Sequence, residues 1–315
     1  MKKITIIGAG SVGSTIAYTL ALQGQASEIL MIDINNAKAE GEAMDIGQGS
    51  PYFAPLKIAA GDYPDAVDSN VVIITSGIPR KAGQSRLELA QTNVNVMKDI
   101  ASKITKYAPN AIYIIVSNPV DVMTYAFHKF SGIPENRIIG SGTTLDTARL
   151  RARLAEIYEV AQKNVHAYVF GEHGDSSFVT WSLANISQIP IDEYRDSVIN
   201  YNHDCPVLDK ADVEDFMRKS GGRVIERKGA TFYAVSVSVC EIVKALDKSI
   251  DSNLCVSTMM HGEYGIDDVC LSTLVSVGRE GITGQILVPL SAEEKELLKK
   301  SADSLKAVIS SISLD

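Results

Sequence analysis

Positive charge is what this sequence lacks for one large class of functions. Its 30 lysines and arginines face 38 aspartates and glutamates, a net charge of -8. A nucleic-acid protein would need a basic face, so no nucleic-acid partner is expected. Cysteine is also scarce, with only Cys205, Cys240, Cys255 and Cys270. None forms a Cys-x-x-Cys pair or has a histidine at metal-ligand spacing, so no metal site is read. Reduced structural thiols in a cytoplasmic protein are the expectation. No apolar run approaches the roughly 18 residues of a membrane span. The run Ile4–Ile7 is too short for a secretory signal and leads straight into a glycine turn. Internal repeats, low-complexity segments and linkers are absent.

What is present is an ordinary globular composition, 45% apolar and 22% charged, over 315 residues. That length is too great for one small domain and comfortable for two. Ile4 to Gly8, Glu28 to Asp33, Val71 to Gly77 and Ala111 to Asn118 are short, apolar and β-branched, each bounded by turn residues. Such runs fit strands buried on both faces of a parallel sheet. The stretches between them, Val12 to Gln23 above all, have room for crossover helices. After about residue 140 the texture changes. Leu145 to Tyr158, Lys210 to Arg227 and Ala230 to Lys248 read as helices. Val165 to Phe170, Leu254 to His261, Leu271 to Gly278 and Gly284 to Pro289 read as strands, antiparallel and less regular. Ser291-Ala-Glu-Glu294 is a capping box that opens a final helix. Leu297, Leu298, Leu305, Val308, Ile309 and Ile312 mark one apolar face of it.

Gly8-Ala9-Gly10-Ser11-Val12-Gly13 is a G-x-G-x-x-G. Alone that pattern is weak, but here it follows a strand-like run and opens a helix-like one. The first glycine permits the turn, the second lets backbone approach a pyrophosphate, and the third lets helix pack on strand. The helix N-terminus then offers N–H donors to the phosphates. Asp33 ends the next strand, 20 residues beyond Gly13. A carboxylate there suits ribose hydroxyls and repels a 2′-phosphate, which favours NAD over NADP. The fold class that follows is α/β: a Rossmann doubly wound parallel sheet over residues 1–140, then a mixed α+β substrate domain over 141–315.

Gly171-Glu172-His173-Gly174-Asp175-Ser176 is the second signal. Histidine suits proton exchange near neutral pH. A lone histidine is more often structural, so His173 needs partners. The other four histidines lack comparable surroundings.

Asn118-Pro-Val-Asp121, the Leu145-Asp146-Thr-Ala-Arg149 stretch, the Glu172–Asp175 run and an Arg86-containing loop occur together and in order. The chain thereby resembles the L-lactate and L-malate dehydrogenase superfamily over essentially its whole length. The resemblance implies an NAD-dependent dehydrogenase of a small 2-hydroxy acid, with 2-keto acid as the partner substrate. It implies His173 as proton donor and acceptor at C2, and Asp146 as the carboxylate that orients it. Arg149 becomes the bidentate clamp on the substrate carboxylate, and Asn118 an amide that positions substrate beside the nicotinamide. Arg86 polarises the carbonyl from a lid over residues 77–86. Val12, Thr75 and Gly77 fall with the cofactor. Taken singly these residues have plain alternatives, such as a surface ion pair for Asp146 and Arg149. One site explains all of them together.

Substrate choice stays open between lactate and malate. Glu172, Thr231 and the Ser141-to-Arg149 run are lactate-like in this resemblance. Arg80 and Gln84 are not: lactate-type lids carry glutamine and glutamate there, and malate-type lids carry the arginine, which would meet a second carboxylate. Arg151 and His166 match positions where bacterial lactate dehydrogenases bind a sugar bisphosphate such as fructose 1,6-bisphosphate; two ordinary surface cations are the alternative. A homotetramer, subject to allosteric control, is implied on the same footing.

Overall fold

The structure is a computed structural model that describes residues 2–78, 86–199 and 205–314, with Arg86 described through its backbone alone. Six parallel strands open the chain: β1 (Lys3–Ile7), β2 (Glu28–Ile32), β3 (Lys57–Ala60), β4 (Val71–Ile74), β5 (Ile112–Ile115) and β6 (Ile138–Gly140). They lie in the order 3-2-1-4-5-6. That order reverses between β1 and β4, which creates a crevice at the carboxyl ends of the strands. The connections run through α1 (Ser11–Leu22), α2 (Asn36–Gln48), α3 (Arg86–Ile104) and α4 (Val120–Ser131).

The strands are apolar without alternation because both faces are covered. Val72, Ile74, Tyr113 and Ile115 face one core with residues of α3 and α4. Ile4, Ile6, Ile73 and Ile114 face the other with residues of α1 and α2. Every residue of β4 and β5 is buried.

α5 (Thr144–Ile157) follows, then five two-residue strands: β7 (Val165–His166), β8 (Val169–Phe170), β9 (Phe178–Val179), β10 (Asn185–Ile186) and β11 (Ile189–Pro190). Three helices come next, α6 (Ile191–Ser197), α7 (Lys210–Lys228) and α8 (Tyr233–Asp247). β12 (Ser252–His261), β13 (Asp267–Gly278) and β14 (Gly281–Gln285) are antiparallel. β12 pairs with β6 through Ser257 and Gly140, so the large sheet runs on into the second half of the chain.

Several expectations shift by a few residues. Val165–Phe170 is two short strands in different sheets rather than one. The last strand lies at Gly281–Gln285, earlier than Gly284–Pro289, because the turn after Gly278 is tight and pairing starts at once. The helix expected from Ala230 begins at Tyr233. The closing helix α9 (Ala292–Ser310) has both halves of its capping box: Ser291 accepts from the Glu294 N–H, and Glu294 accepts from the Ser291 N–H. Leu298 and Leu305 are buried on it, while Leu297 is 37% exposed and Ile312 lies past its end.

Candidate active site

The glycine turn sits at the carboxyl end of β1. Gly8 has φ +110°, where an L side chain is strained, and an added Cβ would lie 2.7 Å from Thr75 Oγ1. At Gly13 an added Cβ would overlap the Gly8 carbonyl, so helix and strand pack only with glycine there. Gly10 has nothing within 4 Å of such an atom. That open cradle at the start of α1 fits a phosphate approaching the backbone. Asp33 Oδ2 accepts the Ala9 N–H at 2.7 Å and Oδ1 accepts the Asn35 N–H at 2.9 Å. The carboxylate is thereby fixed against the turn, with lone pairs left for hydroxyl donors.

A cavity of about 580 Å³ runs along the strand ends. Val12, Thr75, Gly77 and Asn118 line it, and so do Asp146, Arg149, His173 and Thr231. Thr75 Oγ1 donates to the Gly8 carbonyl at 3.0 Å, tying the end of β4 to the glycine turn. Its size lies in the usual range for small-molecule sites, about 300–1,000 Å³.

A histidine–carboxylate pair is built from two distant segments. Asp146 lies in the first turn of α5, and His173 lies in the loop between β8 and β9. His173 Nδ1 meets Asp146 Oδ2 at 2.5 Å, and Arg149 Nη1 meets the other oxygen, Oδ1, at 3.1 Å. The Asp146 and Arg149 side chains are only 7% and 15% exposed, so this is no solvated surface pair. Burial opposes the imidazolium, but the Asp146 charge and hydrogen bond, with help from Asp121, outweigh it and hold the His173 pKa above its ordinary value. Burial likewise opposes the Asp146 carboxylate, and His173 and Arg149 outweigh it, so its pKa is lowered. With Nδ1 committed to Asp146, Nε2 is left for a ligand in the cleft.

Several contributors escaped the sequence reading. Asn93, buried in α3, accepts the Ile78 N–H at 2.8 Å and donates to the Asn118 carbonyl at 2.9 Å, tying those two backbone segments together. Asp121, 2% exposed, accepts the His173 N–H through Oδ2 at 2.8 Å. Ser301, on α9 and fully buried, accepts the Glu172 N–H at 2.8 Å. Arg218 of α7 lines the cleft and donates to the Ser177 carbonyl at 3.0 Å. Asp121 belongs to a motif the sequence displayed; the other three carry no local signal.

Arg80, Gln84 and the Arg86 side chain lie outside the described residues. Arg151 and His166 do not line the cleft. His166 is exposed in β7, opposite Asn185, and no hydrogen bond joins it to Arg151 among the described residues.

Comparison with known proteins places the chain in a family. The family model "lactate/malate dehydrogenase, NAD binding domain" matches residues 2–140, and "lactate/malate dehydrogenase, alpha/beta C-terminal domain" matches residues 143–313. The L-lactate dehydrogenase of Acetivibrio thermocellus is 45% identical over 315 residues, covering 100% of this chain and 98% of that protein. L-lactate dehydrogenase 1 of Clostridium acetobutylicum is 45% identical over 310 residues, with 98% of each chain covered. Among solved structures, the minor L-lactate dehydrogenase of Enterococcus mundtii in its ligands-bound form is 36% identical, with a TM-score of 0.94 over 100% of this chain and 99% of that one.

Proposed function

The chain belongs to the lactate/malate dehydrogenase family, and from that premise we propose that it is an NAD-dependent L-lactate dehydrogenase, interconverting pyruvate and L-lactate. The observation that carries the chemistry is the His173–Asp146–Arg149 arrangement in a cleft that begins at the glycine turn. Bound NADH supplies the hydride to the substrate's C2. His173 gives its Nε2 proton to the C2 oxygen and takes it back in the reverse direction. Asp146 fixes the tautomer and stabilises the charged ring. Arg149 holds the substrate carboxylate with the part of its guanidinium not engaged by Asp146. Asn118 orients the substrate and Thr231 bounds its side chain. Arg86 polarises the carbonyl when the lid closes, which excludes water from the cleft.

The cofactor falls to residues 1–140 and the substrate groups to 141–315, with Asn118 and the lid shared between them. Malate is the less favoured substrate, because the full-length relatives above carry the L-lactate name. We also read the chain as a cytoplasmic homotetramer. Exposed apolar side chains on packed helices support self-association: Tyr18 and Leu22 on α1, Met44 on α2, Tyr233 and Val237 on α8. An effector site for a sugar bisphosphate at Arg151 and His166 rests on the sequence resemblance.

The test is NADH oxidation with a panel of 2-keto acids. Pyruvate should give the highest kcat/KM, with oxaloacetate well below it. Equal or greater turnover of oxaloacetate would reverse the assignment and return Arg80 to the centre of it.

A further inference from the structure

A larger cavity lies at the other end of the parallel sheet. Its volume is about 790 Å³, against about 580 Å³ for the cleft just described. It is formed where the chain enters β1, β4, β5 and β6, and by the turn between β13 and β14. The catalytic cleft collects the carboxyl ends of strands; this one collects their amino ends. No residue is shared between the two.

Its charge is opposite to that of the protein. Lys2, Lys106, Arg137 and Arg279 line it with Asp68 and Glu280, four cations less two anions, on a chain whose net charge is -8. Two of the cations belong to the cavity's floor. The Lys2 side chain is 18% exposed and its ammonium donates to the Leu246 carbonyl at 2.6 Å, with Asp247 at 3.6 Å. Burial lowers its pKa; Asp247 opposes this and Arg279 adds to it, so the ammonium is under-compensated where it sits. The Arg137 side chain is 28% exposed, donates to the Asn110 carbonyl at 3.2 Å, and has Glu280 only at 3.9 Å. The other two cations stand at the rim. Lys106 and Arg279 have no hydrogen bond or ion pair among the described residues.

Concave walls of low dielectric focus the field of such groups and raise the local concentration of anions. A monocarboxylate does not require four cations. Guanidinium forks and ammonium groups together match the several oxygens of a phosphoryl group. The volume admits a molecule of metabolite size, within the range of about 300–1,000 Å³ for such sites. The chain's net charge of -8 disfavours a nucleic-acid strand, whose phosphates would extend beyond the cavity.

We propose that this cavity is a second small-molecule site, which binds an organic phosphate ester through Lys2, Lys106, Arg137 and Arg279. It does not depend on the assignment of the catalytic residues.

The experiment is isothermal titration of the full chain with inorganic pyrophosphate, the protein being first saturated with NADH so that the phosphate cradle at Gly10 is filled. The test variant is Lys106→Ala with Arg279→Ala; both residues are exposed and unpaired, so folding should be unaffected, as an unchanged melting temperature would confirm. Arg151→Ala controls for the effector site discussed above. Wild type should bind one pyrophosphate per chain, more weakly as salt is raised. The double variant should lose at least about tenfold in affinity, roughly 1.4 kcal/mol, and Arg151→Ala should lose nothing. ADP and a sugar phosphate are then added in turn, and the one that displaces pyrophosphate at lower concentration tells a nucleotide from a sugar ester. Absence of binding at millimolar pyrophosphate, equal affinity in the double variant, or displacement by neither ester overturns the proposal.

Discussion

Replacing Asp146 by asparagine keeps the shape of the carboxylate and removes its charge. In the native arrangement one oxygen holds His173 at 2.5 Å and the other holds Arg149 at 3.1 Å, with Asp146 only 7% exposed. Breaking a buried ion pair typically costs about 3–5 kcal/mol. The asparagine carbonyl still accepts a hydrogen bond, so the lower end applies, about 3 kcal/mol against the imidazolium. That corresponds to roughly a 10²-fold loss of kcat/KM for pyruvate at neutral pH. The pH dependence supplies the sharper readout. Pyruvate reduction needs the charged ring, and Asp146 raises the His173 pKa against the lowering effect of burial. Wild-type activity should therefore persist until pH rises past that raised value. In Asp146→Asn the falling limb should begin at lower pH, so the loss should deepen toward alkaline pH. Lactate oxidation needs the neutral ring, so its acid limb should move to lower pH as well. The folding contribution has a matching sign: the raised His173 pKa adds stability that is full below about 6.5 and disappears as pH rises through the folded value. Stopped-flow or steady-state rates in both directions would measure these limbs. A slower variant with unmoved limbs would refute the charge argument and leave Asp146 a purely geometric role.

In the proposed function Asp33 meets the adenosine ribose and would repel a 2′-phosphate, so kcat/KM with NADPH should fall well below that with NADH; equal values would remove Asp33 from cofactor choice. Arg149→Lys should chiefly raise the KM for pyruvate, by about tenfold or more, because an ammonium cannot supply a planar two-point clamp; an unchanged KM would take Arg149 out of the substrate site. Asp121→Ala leaves the His173 N–H without its partner and should cost about 1–3 kcal/mol in chemical denaturation. Burial lifts the Asp121 pKa to about 6 against the opposing His173 N–H and nearby Ser257. The native stability tied to its protonated form is lost as pH rises through that value, so the variant's deficit should be smaller at alkaline than at acid pH. A deficit that grows with pH would contradict this.

The parallel half of the fold was legible because its signals are local and mutually consistent. Four strands buried on both faces read as uninterrupted apolar runs, and Gly8 is demanded by its own positive φ and Gly13 by the Gly8 carbonyl five residues earlier. β3 was not legible: Lys57–Ala60 is an edge strand with alternating partial exposure, and its pairing with β2 supplies what its sequence does not. The same is true of β7 to β11, where two-residue strands carry too little pattern to announce themselves. The continuation of the sheet from β6 into β12 depends on one contact between residues far apart in the chain, Gly140 and Ser257, and no periodicity encodes it.

The site divides along the same line. His173, Asp146, Arg149 and Asn118 belong to compact motifs, each with a residue type that chemistry restricts. The residues that hold them in place do not. Asn93 braces the Asn118 carbonyl from a helix, and Ser301 holds the Glu172 backbone from the last helix of the chain. An amide or hydroxyl in a helix has many ordinary uses, so neither could be singled out before the packing was known. Asp121 is intermediate: its motif was visible, but its use was not. It stood in the sequence only as the last residue of the Asn118-Pro-Val-Asp121 motif, whereas the structure aims it at the backbone of His173 from the first turn of α4. Two buried carboxylates thus address one histidine, Asp146 on the ring and Asp121 on the main chain. The first sets which nitrogen carries the proton, and the second fixes where the ring is hung. A rate measurement alone would not separate these contributions. The limb of the pH profile should respond chiefly to Asp146, because only the ring contact changes with the proton that the reaction moves.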